Sequence, residues 1–140
     1  MLLFVMSQNT GNQPDATGQA LVKQRVFKSS WFDKAARKAL ITDSELCAAM
    51  AQVMLGQADD LGGGVYKKRI HDNRHRSIIL AKGGQYWVYQ FLFAKKDRDN
   101  IQADELAAFK QLARHYAQLS EEQVQQMLAI REFLEICHDC

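Results

Sequence analysis

Apolar residues recur along this chain with two periods, and the period changes twice. Residues 25–29, RVFKS, form a short apolar-centred run that predicts a strand. In the following SSWFDKAARKALIT, Phe32, Ala36, Ala39 and Leu40 fall on one helical face. Ser30 with Asp33 three residues on predicts a capping box at the start of that helix. A second helix is expected from Thr42, capped by Glu45. Its apolar positions are Leu46, Ala49, Met50 and Val53, and Gly56 is the expected stop. Two short helices in succession suggest a helical hairpin.

The period then falls to two. The glycines of ADDLGGGVYKKRI break the helical pattern, and Gly62–Gly64 reads as a flexible turn. RSIILAK and QYWVYQFLFAK are rich in β-branched and aromatic residues and flank Gly83-Gly84, a two-residue hairpin signal. The second run is apolar at both parities, with Trp87, Tyr89, Phe91 and Phe93 on one and Val88 and Leu92 on the other. It therefore predicts a central strand covered on both faces. GVYKKRIH, joined through Asp72–Arg74, supplies the strand before, so residues 64–95 read as a three-stranded antiparallel meander. Helical spacing returns at Leu106, Phe109, Ala113 and Tyr116. It returns again after Ser120 and Gln123, at Val124, Met127 and Leu128.

The expected fold class is thus α+β, a small antiparallel sheet packed against helices. Residues 1–24 are expected to form a mobile tail, since they are mostly polar after the first six and hold the only proline. Residues 25–118 are expected to be the main domain and 119–140 a helical extension. The length of 140 residues fits about one domain, and 47% hydrophobic residues suffice for a core. No apolar run approaches the ~18 residues of a membrane span. MLLFVM lacks a basic start and a small-residue cleavage site, so it does not read as a signal peptide. Three cysteines, an odd number, argue against a disulfide framework and fit a reducing, cytoplasmic location.

Charge changes the picture most. The formal net charge is only +2, yet residues 67–98 hold nine Lys or Arg against two Asp, while residues 99–140 hold eight acids against three bases. A concentrated basic zone in a near-neutral chain points to an anionic partner. Its densest part is KKRIHDNRHRS, residues 67–77. Strand alternation puts Lys67, Arg69 and His71 on one face and Lys68 on the other. With helices on one side of the sheet, the other side would be free for Lys67, Arg69 and His71. Lys95, Lys96, Asp97 and Arg98 would stand at the exit of the last strand, and Arg76 would approach from the middle strand. Arg74 and His75 add to the same zone.

These residue types suit RNA binding and cleavage. Arg and Lys hold phosphate and stabilise the charge that builds on it. Histidine exchanges protons near neutral pH, so His71 and His75 are candidates for that work. Cleavage without a metal would use the ribose 2′-hydroxyl as nucleophile. Tyr86, Trp87 and Tyr89 offer stacking surfaces, although most should be core. The bland alternative is that the cations solvate a hairpin or blunt a sheet edge.

Other motifs are weaker. Cys137, His138 and Cys140 cannot close a four-ligand zinc site alone, and Cys47 lies among apolar neighbours in a helix, as a core residue would. The acidic charge of residues 119–140 suggests a segment folding back near the basic face.

The order of elements, together with GGVYKKRI, RHRSIILAKGGQYWVYQFLFAKKDRDNI and ELAAFKQLA, resembles the toxins of RelE/HigB-type toxin–antitoxin pairs over about residues 25–118. FLFAKKDRDNI running into a helix looks close to the HigB-like branch. The resemblance implies a metal-independent endoribonuclease that cuts mRNA, often on the ribosome. It implies no cofactor, and a cognate antitoxin as partner. By position, Lys67, Arg69, Arg76 and Lys96 match the family's basic site residues. His71 is added as a catalytic candidate on chemical grounds, and Lys68, Arg74, His75, Lys95 and Arg98 as RNA-binding ones. Some relatives carry a catalytic tyrosine shortly after the last strand. Residues 97–105 contain none, which leaves the general base unassigned. The wider fold group includes gyrase poisons, so a non-catalytic, gyrase-directed toxin or an RNA-binding regulator is the alternative.

Overall fold

The structure is a computed structural model that describes residues 24–138. The tail expected over residues 1–24 lies outside it except for Gln24, as does Cys140. The elements are β1 (Arg25–Ser29), α1 (Ser30–Lys38), α2 (Asp43–Met54), β2 (Asp59–Gly62), β3 (Val65–Ile70), β4 (His75–Lys82), β5 (Tyr86–Ala94), α3 (Ala103–Ala117), α4 (Glu121–Ala129) and β6 (Phe133–Ile136). One six-stranded sheet runs in the order β2-β3-β4-β5-β1-β6. Only the β1–β5 pair is parallel. The fold is α+β, as the pattern indicated.

β5 explains the layering. With apolar side chains at both parities it needs cover on both faces, and it receives it. A bulge at Gln90 exchanges the faces, so Phe91 and Phe93 join Val88 and Leu92 joins Tyr89, contrary to strict alternation. Tyr89 and Leu92 join Val26, Phe32, Leu46, Met50 and Ile79 in a core under α1 and α2. Val88 and Phe93 join Phe27, Val65, Ile78, Leu80, Ala113 and Phe133 in a second core, under α3 and α4. Phe27 is fully buried there, its ring centroid 5.3 Å from Tyr86 and 5.2 Å from Phe133. The expectation of one free sheet face is therefore corrected, because helices cover both.

Several local expectations also change. The cap of α1 is Ser29, one residue earlier than expected, and its Oγ accepts from the Phe32 amide at 3.0 Å. Asp33 is drawn into the fold instead of the cap. Leu40 leaves the predicted helical face, since its φ of 61° ends the helix and exposes it. The boxes Thr42–Glu45 and Ser120–Gln123 form as expected. The loop between β4 and β5 has three residues rather than two, since Lys82 pairs with Tyr86. Gly62–Gly64 is a packed hairpin rather than a flexible turn. All three glycines have positive φ, and a Cβ on Gly63 would lie 3.0 Å from the Lys110 side chain.

The end of the chain differs most. After α4 it returns to the sheet as β6, antiparallel to β1, with Phe27 opposite Glu135 and Ser29 opposite Phe133. The helical extension is thus helix and then edge strand. Arg25 pairs with Glu121 at 3.1 Å and Glu135 at 2.8 Å, so this acidic segment lies beyond β1, across the sheet from β3. The expected fold-back onto the basic face does not occur. Nor is Cys47 a plain core thiol. It forms a disulfide with Cys137, 90 residues away, which corrects the reading of the cysteines as unbridged. No helix among the described residues is long and apolar enough to cross a membrane.

Beneath α1, buried Lys28 sits 2.6 Å from both Asp33 and Asp43, and Arg37 reaches Asp33 at 3.0 Å. Burial pushes the Asp33 carboxyl up, but hydrogen bonds from Lys28 and Arg37 outweigh it and leave the group more acidic than usual. The unfolded value is ~4, so this stabilisation is complete above that pH and is lost as pH falls through the lower folded value. Urea midpoints should therefore fall from about pH 4 downward. Asp33→Asn should flatten that acid limb while lowering stability at neutral pH. Parallel acid limbs in the two proteins would contradict this role for Asp33.

Candidate functional site

Two arginines are paired where a sheet normally avoids it. Arg69 of β3 stands directly opposite Arg76 of β4, with Phe93 of β5 the next residue across. Like charges at such positions are destabilising, by roughly 0.2–1 kcal/mol on the usual scale of cross-strand pairs. α3 covers Val65, Ile78 and Leu80 on this face, and the cations lie beyond them towards the strand ends.

Arg76 is 8% exposed, and its guanidinium donates only to the carbonyls of Asn73 (3.1 Å) and His75 (3.3 Å). Among the described residues no carboxylate pairs with Arg76, nor with Arg69, Lys95 or Lys96. A buried cation with only neutral acceptors is costly, and an incoming anion relieves that cost.

The segment after β5 closes over this end. Arg98 lies over the Phe93 ring, 5.3 Å from its centroid. It is held there by Glu105 at the start of α3, whose carboxyl it pulls below the usual range. The Arg98 Nε donates to the Asn100 carbonyl at 3.0 Å. The Asn100 side-chain oxygen in turn accepts from Lys67 at 3.3 Å, while Asp59 stands 3.8 Å from the same lysine. Lys67, Arg69, Arg76 and Arg98 thus share the α3 face of the sheet.

His71 does not join them, contrary to the strand alternation. β3 ends at Ile70, and His71, Asp72 and Asn73 all have positive φ (57°, 53° and 66°), which turns the chain off the sheet plane. The left-handed region costs an ordinary residue about 1 kcal/mol or more. The His71 Nδ1 lies 3.0 Å from Glu45 of α2 and its Nε2 lies 3.0 Å from an Arg74 nitrogen. Arginine can only donate, so Nε2 accepts, and Nδ1 carries the proton given to Glu45. That hydrogen bond, helped by the Thr42 amide, makes the Glu45 carboxyl more acidic. Both ring nitrogens of His71 are therefore occupied. Lys68 also faces α2 and donates to the Gln57 carbonyl at 2.9 Å. Burial, with neighbouring Arg69, lowers its pKa.

A third group lies around a cleft of about 620 Å³ at the end of the sheet, lined by Asp72, Asn73, Arg74, His75, Ala94, Lys95, Lys96 and Asp99. The His75 ring centroid is 5.2 Å from that of His71. Burial lowers the His75 pKa, and the charge of nearby Arg74 lowers it further, which favours the neutral imidazole. Its Nδ1 is buried with no hydrogen-bond partner among the described residues. Asp97 is exposed on the loop above. Tyr86 and Tyr89 are buried and cannot stack on a base, whereas Trp87 is half-buried. Among the described residues no three His, Cys, Asp or Glu side chains are grouped so as to hold a metal ion.

The predicted basic residues therefore divide into three groups. Lys67, Arg69, Arg76 and Arg98 share the α3 face, Arg74, His75, Lys95 and Lys96 surround the cleft, and Lys68 and His71 turn towards α2. Glu45, Phe93 and Asn100 were not anticipated. Phe93 and Glu45 carried core and capping signals, and nothing local marked Asn100 as a partner of Lys67.

The fold and this charge distribution define a small α+β protein with cations gathered at one end of its sheet. The chain belongs to the RelE family, since residues 24–136 match the model of the RelE toxin of the RelE/RelB toxin–antitoxin system. It is thus a toxin of a toxin–antitoxin pair, and the family implies an antitoxin as partner. No curated protein and no solved structure matches the chain significantly.

The Arg69–Arg76 pair carries a signature that separates function from stability. Arg69→Ala should leave thermal stability unchanged or raise it, by up to ~1 kcal/mol, because it removes a repulsion. The same change should weaken binding of a short RNA. A variant that is clearly less stable would show that Arg69 has a structural partner and is no anion ligand.

Proposed function

We propose that this toxin is a metal-independent endoribonuclease that cuts mRNA, acting on transcripts engaged by the ribosome. The observation that carries this reading is the facing pair Arg69 and Arg76, held without a carboxylate partner beside Lys67 and Arg98. A phosphodiester supplies the missing negative charge. Charge grows on the phosphoryl oxygens as the 2′-oxygen attacks and the 5′-oxygen leaves. Fixed cations that meet this charge lower the barrier.

Within this reading Arg69 and Arg76 grip the scissile phosphate, Arg76 with the less freedom because it is buried. Lys67 adds positive potential from the same face, and Arg98, paired with Glu105, shapes the site by lying over Phe93. Lys96 stands on the rim of the cleft and takes a flanking phosphate or neutralises the leaving oxygen. His71, with both nitrogens engaged, acts as a positioning residue that holds the turn through Glu45 and Arg74. His75 lines the cleft beside these cations, but its unpartnered Nδ1 is buried, so the general base stays unassigned. Arg74 and Lys95 extend the track for RNA beyond the reacting phosphate.

The test is to express the toxin in a bacterial host and map transcript ends, in parallel with cleavage assays on programmed ribosomes in the presence of a chelator. New 5′ ends should appear, cleavage should persist with the metal sequestered, and Lys96→Ala should slow it by roughly 10²–10³-fold. Arg76→Lys keeps a buried cation but loses the forked donor set, so it should lose rate without losing the fold. Growth arrest with intact transcripts and altered DNA supercoiling would contradict the ribonuclease reading and favour a gyrase target.

A further inference from the structure

Cys47 lies in α2 and Cys137 one residue beyond β6, 90 residues apart in sequence, yet their Cα atoms are 5.5 Å apart and the sulfurs are bonded. The bond ties the last strand of the sheet to α2, a helix whose other anchors are its apolar face, the Asp43–Lys28 ion pair, the Glu45–His71 contact and the Tyr89 hydroxyl on the Leu46 carbonyl. β6 is otherwise held by its ladder with β1, by buried Phe133 and Ile136 and by the Arg25–Glu135 ion pair. It is an edge strand of four residues, paired on one side only. Cys137 also has a φ of 63°, a left-handed conformation that a non-glycine residue adopts at a cost and keeps only when its surroundings hold it there.

The bond is also reachable. Both cysteines are only half-buried and line a cleft of about 130 Å³ with Gln24, Val26, Met50 and Met54. Cys137 borders a second cleft, of about 200 Å³, with Arg25, Glu135 and His138. Disulfides sealed in a core are inert, whereas accessible ones are open to exchange.

We propose that Cys47–Cys137 is a thiol–disulfide exchange site, and that its partner is a dithiol reductant. The incoming thiolate attacks the sulfur of Cys137, the residue that borders both clefts, and forms a mixed disulfide. The S–S bond breaks and Cys47 leaves as a thiolate, which takes up a proton. The reductant's second thiolate then attacks its own sulfur in the mixed disulfide and releases Cys137. The protein gains two thiols and the reductant becomes a disulfide. Reduction frees β6 from α2. The loosening then reaches α2, which also carries Glu45, the residue that anchors His71 beside the basic end. This inference is independent of whether RNA is the substrate.

The test uses the full chain. Denatured without reductant, the oxidised protein should show one free thiol per chain, and three after reduction, given its three cysteines. Dithiothreitol should lower the melting temperature by on the order of 10 °C and speed amide exchange across Phe133–Ile136. The Cys47→Ser/Cys137→Ser double variant should melt with the reduced protein and ignore the reductant. A titration against reduced and oxidised glutathione should open and reclose the bond. Three free thiols in the untreated, air-exposed protein would overturn the proposal, as would a bond that stays closed throughout the dithiol treatment. Reduction without change in melting or exchange would overturn the structural consequence drawn from it. The wild-type measurements decide these points even if the double variant fails to fold.

Discussion

A central strand that is apolar on both faces constrains everything else in this molecule. β5 has Tyr89 and Leu92 facing one layer of helices and Val88 and Phe93 facing the other, so neither face of the central strand is left for solvent. Polar chemistry is pushed to where the helical cover runs out, at the strand ends. β3 and β4 carry their cations there. A basic sheet end is thus the place that a doubly covered sheet leaves available, and the charge concentrated in residues 67–98 occupies it.

The cations at that end are not equivalent. Some have carboxylates within the fold, as Arg98 has Glu105 and Lys67 has Asp59 at 3.8 Å. Others are left unpaired among the described residues, and the Arg69–Arg76 pair is placed so that each worsens the other's position. A sequence selected for stability alone would not keep two arginines face to face with one of them buried. The pairing has a physical account once an anion sits between them.

Much of this was legible in the sequence, for identifiable reasons. The two-parity run at residues 85–95 showed the central strand. The boxes at Thr42 and Ser120 showed two helix starts, and the charge asymmetry marked the basic region. What the sequence hid depended on contacts distant along the chain. β2 is short and polar, and it exists only because the glycine turn folds it onto β3. β6 follows a helix closely and pairs with β1, more than a hundred residues earlier, so no local pattern announces it. The disulfide was hidden for the same reason, since Cys137 meets Cys47 only once β6 is in the sheet. His71 was misplaced because alternation holds only while the strand lasts, and the chain turns left-handed there. Ser29 displaced Ser30 as the cap because Asp33 is committed to Lys28.

The salt dependence of RNA binding tests most directly whether the basic sheet end receives phosphate. Affinity for a short single-stranded RNA should fall as salt rises, with a log–log slope of about −0.7 for each phosphate contacted. The account predicts at least two such contacts for the native toxin, and a slope shallower by about one contact when Arg69 is replaced by alanine. A slope near zero, or one that the substitution leaves unchanged, would contradict it.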